Sequence, residues 1–163
     1  KEFYDLHSHH FVLREAIVKG VLLVVPNGAP NMDLLRKNIQ HPEEEENIEW
    51  IEKFAYQYAA GYELFLDDWK TVSQIILRMP FEKDDLNKQL KATRQIELQD
   101  SINTYLLQVT DLYQANQPMP IEYARPEIEK IMLAQRQVNF IQQERIGLYE
   151  KAIKEGILKR YEE

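Results

Sequence analysis

The sequence contains no cysteine, which excludes disulfide scaffolds, zinc ribbons, thiol nucleophiles and iron–sulfur sites. The absence of thiols is compatible with an oxidising compartment but does not fix one. Glycine is scarce, with five residues, and the GxGxxG, P-loop and GxSxG motifs are all missing. No catalytic order of serine, histidine and aspartate stands out. The commonest nucleotide-binding and serine-hydrolase sites are therefore not expected.

Basic residues are also fewer than acidic ones. Lysine and arginine total 20 against 27 aspartates and glutamates, for a net charge of −7. An acidic chain without a basic cluster is a poor binder of nucleic acid, because phosphates need neutralising. The longest apolar run, Val21 to Pro26, is too short to span a bilayer, which takes about 20 residues. We expect neither a nucleic-acid partner nor a transmembrane segment.

What is present suits a globular domain: 163 residues, of which 44% are hydrophobic. The stretch at residues 16–30 predicts a buried strand, because seven of the nine residues from Ile17 to Val25 are leucine or β-branched. Gly20 inside this strand indicates a bulge or a close backbone approach. The strand is closed by a cluster of turn residues, namely Pro26, Asn27, Gly28 and Pro30.

Helices are predicted for most of the next sixty residues. Asn31 is expected to cap a short helix that runs to about Gln40. A second helix is expected to begin at Pro42, with Gly61 as its C-terminal cap. Its apolar face would consist of Ile48, Ile51, Ala55, Tyr58 and Tyr62. Two further short helices are predicted, over residues 69–77 and 84–91.

From Arg94 the pattern predicts a β-hairpin, with strands at residues 94–99 and 103–111. After a linker at residues 116–120, one long helical pattern covers residues 121–159. The expected fold class is α+β, with a terminal helix that projects and buries its stripe elsewhere. The expected division is an N-terminal segment at 1–15, an α+β domain at 16–115, and the linker and long helix at 116–163.

Few side-chain clusters suggest chemistry. His7, His9 and His10 form the only dense group of metal-capable residues, but an extended chain points His10 away from the other two. The four glutamates at residues 43–46 point in different directions on a helix, so they suit a solvated helix start. Arg36 and His41 have a spacing seen in some helical ribonucleases, which is common by chance. We predict no metal and no cofactor.

Three stretches resemble a known family: FVLREAIVKGVLLVVPNGAPNMDLLRK at residues 11–37, WIEKFAYQYA at 50–59, and IELQDSINTYLLQVTDLYQANQPMPIEYARPEIEKIMLAQRQ at 96–137. In amino-acid sequence and in the order of predicted elements, they are similar to the divergent SurA-like, parvulin-related (PpiC-type) proteins of the Gram-negative cell envelope. The resemblance covers most of the chain. It implies a degenerate parvulin-like domain followed by the C-terminal helix of that family.

The resemblance implies a periplasmic folding chaperone or peptidyl-prolyl cis-trans isomerase (rotamase) whose clients are unfolded outer-membrane or secreted polypeptides. Parvulins carry a histidine in the first strand and another in the last. Gly20 and Tyr105 stand at about those places here, so isomerase activity is expected to be weak or lost. The resemblance also implies that the long helix packs with an upstream helical segment preceding Lys1, where a lipid anchor is a further expectation.

Three functions stay open. A chaperone-like module would bind extended chain through apolar grooves and strand edges. An active isomerase would use unconventional pocket residues, for which Met79, Phe81, Tyr105 and Leu107 are the candidates. A structural or assembly protein would use the long helix as an interface, including one between identical copies. The candidate interface residues are Ile128, Ile131, Met132, Val138 and Ile141.

Overall fold

Residues 1–156 are described by a computed structural model, which shows an α+β fold. The strands are β1 (Ile17–Pro26), β2 (Gly61–Thr71), β3 (Gln95–Gln99) and β4 (Asn103–Tyr113). The α-helices are α1 (Glu2–His7), α2 (Met32–Asn38), α3 (Glu45–Tyr58), α4 (Val72–Ile76), α5 (Lys83–Ala92) and α6 (Ile121–Lys154). A single 3₁₀ turn (Ser8–His10) follows α1. The expected α+β class is confirmed.

The four strands form one antiparallel sheet in the order β2-β1-β4-β3. The most apolar strand, β1, lies inside the sheet, paired with β2 on one side and β4 on the other. Leu22, for example, stands opposite Glu63 of β2 and Leu107 of β4. An interior strand covered on both faces reads as a continuous apolar run, which is what β1 shows.

Helices cover both faces of this sheet. The face that we call the α4/α5 face packs Leu22, Phe65 and Leu107 against residues of those helices, among them Leu86. The α2/α3 face packs the alternate strand residues, such as Leu23 and Leu106, against Leu35, Ile51 and Phe54. Because successive strand residues point to opposite faces, one apolar run supplies both cores.

Gly20 sits where β1 is irregular in its pairing with both neighbours. A Cβ at this position would collide with the backbone carbonyl of Gln108 on β4. The expected close backbone approach is therefore confirmed, together with a bulge between Lys19 and Gly20.

Strand β2 is not predicted from the sequence. The sequence pattern predicts Gly61 as a helix cap, whereas α3 ends at Tyr58 and Gly61 begins the strand. Only Phe65 is fully buried in β2, and the edge position tolerates charged residues along its length. Since the apolar residues of β2 do not alternate cleanly, the period that signals a strand is absent.

Helix boundaries near β2 also differ from the expectation. The helix predicted over 69–77 begins only at Val72, because Thr71 and Gln74 form a capping box. Helix α3 begins at Glu45 instead of Pro42. Asn31 does precede α2, but it adopts a left-handed conformation and its side chain caps nothing. By contrast, β1, α5 and the β3–β4 hairpin are confirmed. The long helix is confirmed from Ile121 to Lys154, but it ends there because Glu155 and Gly156 form a turn; residues 157–159 of the prediction lie outside the described residues.

The chain divides into two units. One consists of Val12–Met119 and contains the whole sheet with α2 to α5. The other consists of Lys1–Phe11 and the segment from Pro120 onward, where α1 contacts α6. In α6, Ala124 and Ile128 are buried, but every residue from Leu133 to Lys151 is exposed. None of the described helices combines the length and the hydropathy that crossing a membrane requires.

Candidate functional site

The four candidate pocket residues meet on the α4/α5 face. Met79 and Leu107 belong to its buried core, with 4% and 0% of their surface exposed. Phe81 and Tyr105 are half-buried and pack against the same core. The structure thus brings all four together, although Met79 and Leu107 serve packing and present no open surface to a peptide.

Tyr105 is held by a carboxylate in the β3–β4 turn. Its hydroxyl donates to Asp100 Oδ2 at 2.9 Å. Asp100 Oδ1 accepts backbone N–H bonds from Ile102 at 2.7 Å and Asn103 at 2.6 Å. These N–H donors, with the Tyr105 hydroxyl, hold the pKa of Asp100 below its usual value. The same bond raises the pKa of Tyr105, so this phenol is kept protonated and is a poor base.

No acid–base pair replaces the two histidines of the parvulin resemblance. Gly20 pairs with Val109 while Tyr105 pairs with Val24, so the two positions are four residues apart along the sheet. At about 3.3 Å per residue the two positions lie about 13 Å apart, and Gly20 has no side chain, so they do not form an acid–base pair. All four histidines of the chain lie outside the strands. The described strands therefore supply no histidine at either place.

An apolar cavity of about 240 Å³ opens beside this cluster. Its walls are Leu22, Val24, Ala60, Gly61, Tyr62 and Arg78. Val24 and Gly61 stand opposite each other, and the missing side chain of Gly61 leaves open space: a Cβ there would meet nothing within 4 Å. Drug-sized ligands usually occupy about 300–1,000 Å³. This cavity lies below that range and is large enough to hold an apolar side chain.

Charge at the cavity mouth is internally compensated. Glu63 accepts from Lys70 Nζ at 2.7 Å and lies 3.5 Å from Arg78 Nε. The three side chains hold the start of β2 to the chain that follows α4. Since Arg78 already faces Glu63, its aliphatic stem rather than its charge is what the cavity presents.

The position of α4 and α5 over the sheet depends on Glu15. One of its carboxylate oxygens accepts from Ser73 N–H at 3.0 Å, Ser73 Oγ at 2.6 Å and Lys83 Nζ at 2.9 Å. Burial raises the pKa of Glu15, but the hydrogen bonds from Ser73 and Lys83 outweigh it, so that the pKa lies below its usual value. A single ionised carboxylate thus links the segment before β1 to both helices of the α4/α5 face.

The rings of the histidine cluster stack on one another and on Phe3, and they are not arranged as metal ligands. His9 and His10 have ring centroids 4.0 Å apart, and His7 stacks on Phe3 at 4.4 Å. Within residues 1–156, no group of three or more histidine, aspartate or glutamate side chains converges as a metal site would. The glutamates at residues 43–46 lie at or just before the start of α3, where the helix dipole favours negative charge.

The interface candidates on α6 fall into two groups. Ile128 is buried, and Ile131 and Met132 are half-buried. Val138 and Ile141 are 54% and 52% exposed. The exposed apolar residues beyond Met132 are Leu133, Val138, Phe140, Ile141, Ile146, Leu148 and Tyr149. They do not form a single narrow stripe, since Phe140 and Val138 lie on nearly opposite sides of the helix.

The cavity is not predicted from the sequence, because the sequence pattern assigns Leu22 and Val24 to a buried strand and Gly61 and Tyr62 to a helix. The available signal was Gly61 following an amphipathic helix, which was interpreted as a cap. A strand that begins with glycine opposite a valine leaves a gap between its neighbours, but only knowledge of β2 reveals that pairing.

Comparison with known proteins adds no relative: no family model, curated protein or solved structure matches this chain. The parvulin resemblance consequently rests on the sequence stretches and the order of the elements.

Proposed function

We propose that the chain is a chaperone-like module that binds unfolded or extended polypeptide, with prolyl isomerase activity weak or lost. The observation that carries this proposal is the apolar cavity on a sheet whose described strands hold no histidine. Such a cavity accepts an apolar side chain from many different segments, which is what a protein with varied clients needs. In keeping with the resemblance, the proposed clients are outer-membrane or secreted proteins.

The hydrogen bonding of Tyr105 supports the loss of isomerase activity. Rotation about a prolyl bond has a barrier of about 18–20 kcal/mol, and an enzyme lowers it with polar groups preorganised around the twisted imide. Tyr105 stands at about the place of the second parvulin histidine, and its hydroxyl is committed to Asp100. If the chain were an active isomerase, Tyr105→Ala should remove the activity and leave the fold intact.

A client-aggregation assay tests the proposal. An outer-membrane β-barrel protein, unfolded in urea, is diluted into buffer with and without the chain, and light scattering is followed. We expect the chain to delay scattering in proportion to its concentration. Scattering that is identical with the chain and with an equal mass of serum albumin would refute the proposal.

Prolyl exchange by NMR completes the test. A short peptide with one X-Pro bond is mixed with the chain at high concentration, and cis–trans exchange cross-peaks are measured. We expect the exchange rate in the mixture to equal that of the peptide alone. Acceleration that survives Tyr105→Phe but not cavity filling would instead assign the isomerase function to the cavity.

A second candidate function is assembly through α6. The observation that favours it is the run of exposed apolar side chains beyond Met132, since large exposed apolar patches mark interaction sites. The double variant Ile131→Asp with Val138→Asp should abolish concentration-dependent association in sedimentation. The matched control, Asn139→Asp with Gln143→Asp, adds the same charge to the same helix and should associate normally. Association that persists in the first variant would exclude this interface.

The cell envelope is the proposed location, with a periplasmic domain or one anchored by lipid to the membrane surface. This part of the proposal rests on the family resemblance. Fractionation of cells that express the natural gene tests it, with the periplasmic and membrane fractions as the expected ones. Recovery in the cytoplasmic fraction would contradict it.

A further inference from the structure

We propose that the outer edge of β2, from Gly61 to Leu66, is the place where this chain binds an extended polypeptide, which adds to the sheet as a fifth strand and inserts one apolar side chain into the cavity over Gly61. This inference rests on the proposed function and names its site. Three independent features support it: unpaired backbone groups, the cavity, and unpaired acidic charge.

The backbone of β2 has groups with no strand to pair with. In an antiparallel sheet, successive residues direct their N–H and C=O groups to opposite neighbours. Asn27 N–H donates to Ile102 O at 2.8 Å, continuing the β1–β4 register. By that alternation, Val25 and Leu23 also bond to β4.

The intervening residues of β1 then bond to β2. Val24 O accepts from Ala60 N–H at 2.8 Å on that side, and Gly61 and Glu63 are the partners of Val24 and Leu22. The next residues of β2, Tyr62 and Leu64, consequently direct their N–H and C=O groups outward. β2 is the end strand of the sheet, so no other described strand pairs with this edge. An open edge of this kind is a template for a further strand.

The other end strand is less suited to this role. On β3, the backbone groups of Gln95 are already hydrogen-bonded to Thr93. The Thr93 hydroxyl donates to Gln95 O at 3.0 Å and accepts from Gln95 N–H at 3.2 Å. β3 is also only five residues long. The β2 edge therefore carries the longer unoccupied run of backbone groups.

The cavity lies where a side chain from an added strand would point. Residues that stand opposite each other in a sheet place their side chains on the same face. A residue paired beside Gly61 would thus point to the α4/α5 face, above Leu22 and Val24, where the cavity of about 240 Å³ is open. On the opposite face, Tyr62 and Tyr58 are 44% and 38% exposed and would flank the next side chain of the bound segment.

Charge selects the kind of segment. Asp67 and Asp68 are exposed, and no described side chain forms an ion pair with either carboxylate. They follow the proposed edge directly, at a point where the β1–β2 register shifts between Phe65 and Lys70. A bound segment that runs parallel to β2, with its apolar residue beside Gly61, would meet them with the residues about six and seven positions further along. We therefore expect preference for segments in which basic residues follow an apolar one.

The test uses a fluorescein-labelled peptide, Ser-Val-Leu-Val-Ser-Thr-Ser-Thr-Lys-Lys, and the whole chain. Gly61→Leu should fill the cavity without strain, because a side chain there meets open space. We expect at least about tenfold weaker peptide binding by fluorescence anisotropy. The matched control is Gly147→Leu on α6, where a Cβ also meets nothing within 4 Å; it should bind as the natural chain does.

A second pair of variants isolates the backbone contribution. Tyr62→Pro deletes an outward N–H and leaves the bonds between β1 and β2 in place, as proline is tolerated on the outer side of an edge strand. Tyr62→Ala removes the same ring but keeps the N–H. We expect Tyr62→Pro to bind about fivefold to tenfold more weakly than Tyr62→Ala, the effect of one hydrogen bond. In hydrogen exchange, the peptide should slow the amides of Tyr62 and Leu64.

The outcomes separate this inference from the proposed function. If the natural chain and all variants delay client aggregation equally, the β2 edge is rejected while the chaperone proposal stands. If the natural chain binds neither the peptide nor the unfolded barrel protein, both fail. If Gly61→Leu and Tyr62→Pro instead abolish self-association of the chain, the edge pairs with a second copy and the inference is overturned. A peptide in which both lysines are replaced by aspartate should bind more weakly; equal binding would reject the charge preference.

Discussion

The sheet unit and helix α6 use their apolar residues in opposite ways. In the sheet unit, β1 sends alternate side chains into two cores, and all of its long apolar residues except Val24 are buried. In α6, seven large apolar side chains beyond Met132 are exposed over more than half of their surface. Folding of the sheet unit thus buries almost all of the apolar surface of β1, whereas α6 keeps apolar surface that folding of the described chain does not cover.

Val24 is the exception in β1, and it lies at the cavity. The apolar surface that β1 itself leaves accessible is therefore at the place where β2 begins with a glycine. Other exposed apolar side chains of the sheet unit, such as Tyr56, Leu77 and Ile102, lie outside the strands. In α6 the exposed apolar side chains are spread around the helix.

The largest effect that would test this comparison is expected from core truncation. Leu106→Ala removes a side chain with no exposed surface from the α2/α3 face and should lower the free energy of unfolding by about 2–5 kcal/mol. Leu133→Ala, at a position 57% exposed, should change it by no more than about 0.5 kcal/mol. Urea unfolding followed by circular dichroism measures both. Equal losses of the free energy of unfolding in the two variants would mean that Leu133 is covered. The contrast between the buried sheet core and the exposed side chains of α6 would then be wrong.

The next effect concerns two glycines with opposite surroundings. Gly20→Ala forces a methyl group against the Gln108 carbonyl of β4 and should cost about 1–3 kcal/mol, as overpacking does. Gly147→Ala places the same methyl in open space within α6 and should stabilise the helix by about 0.5–1 kcal/mol. Thermal unfolding midpoints of the two variants should therefore move in opposite directions. A stabilising Gly20→Ala would show that β1 and β4 are not in close approach there.

A smaller effect is expected at Glu15, and it depends on pH. Because hydrogen bonds hold its pKa below the usual value in the folded chain, ionised Glu15 stabilises the fold at pH values above about 4.3, the usual glutamate pKa. That stabilisation is lost as pH falls through the lowered folded pKa. Glu15→Gln should cost about 0.5–1 kcal/mol at pH 7 after allowance for solvent screening.

The control for Glu15 is the pH profile itself. The difference in unfolding free energy between the natural chain and Glu15→Gln should shrink as pH is lowered below about 4. Glu52→Gln, an exposed glutamate on α3, should show no such difference. A cost of Glu15→Gln that stays constant down to the most acidic pH would assign its role to shape instead of charge.

The smallest effect is expected at the exposed turn of the hairpin. Asp100→Asn removes the carboxylate that raises the pKa of Tyr105, so the phenol should titrate closer to about 10, its usual pKa. The chemical shifts of the Tyr105 ring, followed by NMR against pH, measure this change. Asp68→Asn removes an equal charge elsewhere and should leave the titration of Tyr105 unaltered. An unchanged titration in Asp100→Asn would show that the Tyr105–Asp100 hydrogen bond is not maintained in solution.

The elements predicted correctly from the sequence share a strong local signal. Strand β1 has an unbroken run of leucine and β-branched residues, and α6 repeats its apolar residues over nine turns. The hairpin has two such runs separated by a short polar turn. The four pocket candidates pack in or against one core cluster, but none of them lines the cavity over Gly61.

The sequence by itself determined the α+β class, the central strand, the hairpin, the terminal helix and the lack of a dense catalytic motif, because each depends on residues close together in the chain. Only the tertiary structure decided that Gly61 begins an edge strand, that Met79 and Leu107 are core, and that an open cavity lies above Val24. Each of these depends on which segments pair across the sheet. The weak apolar period of β2 cannot report that pairing, since a charged edge strand gains its order from hydrogen bonds to β1 and little from burial of its own side chains.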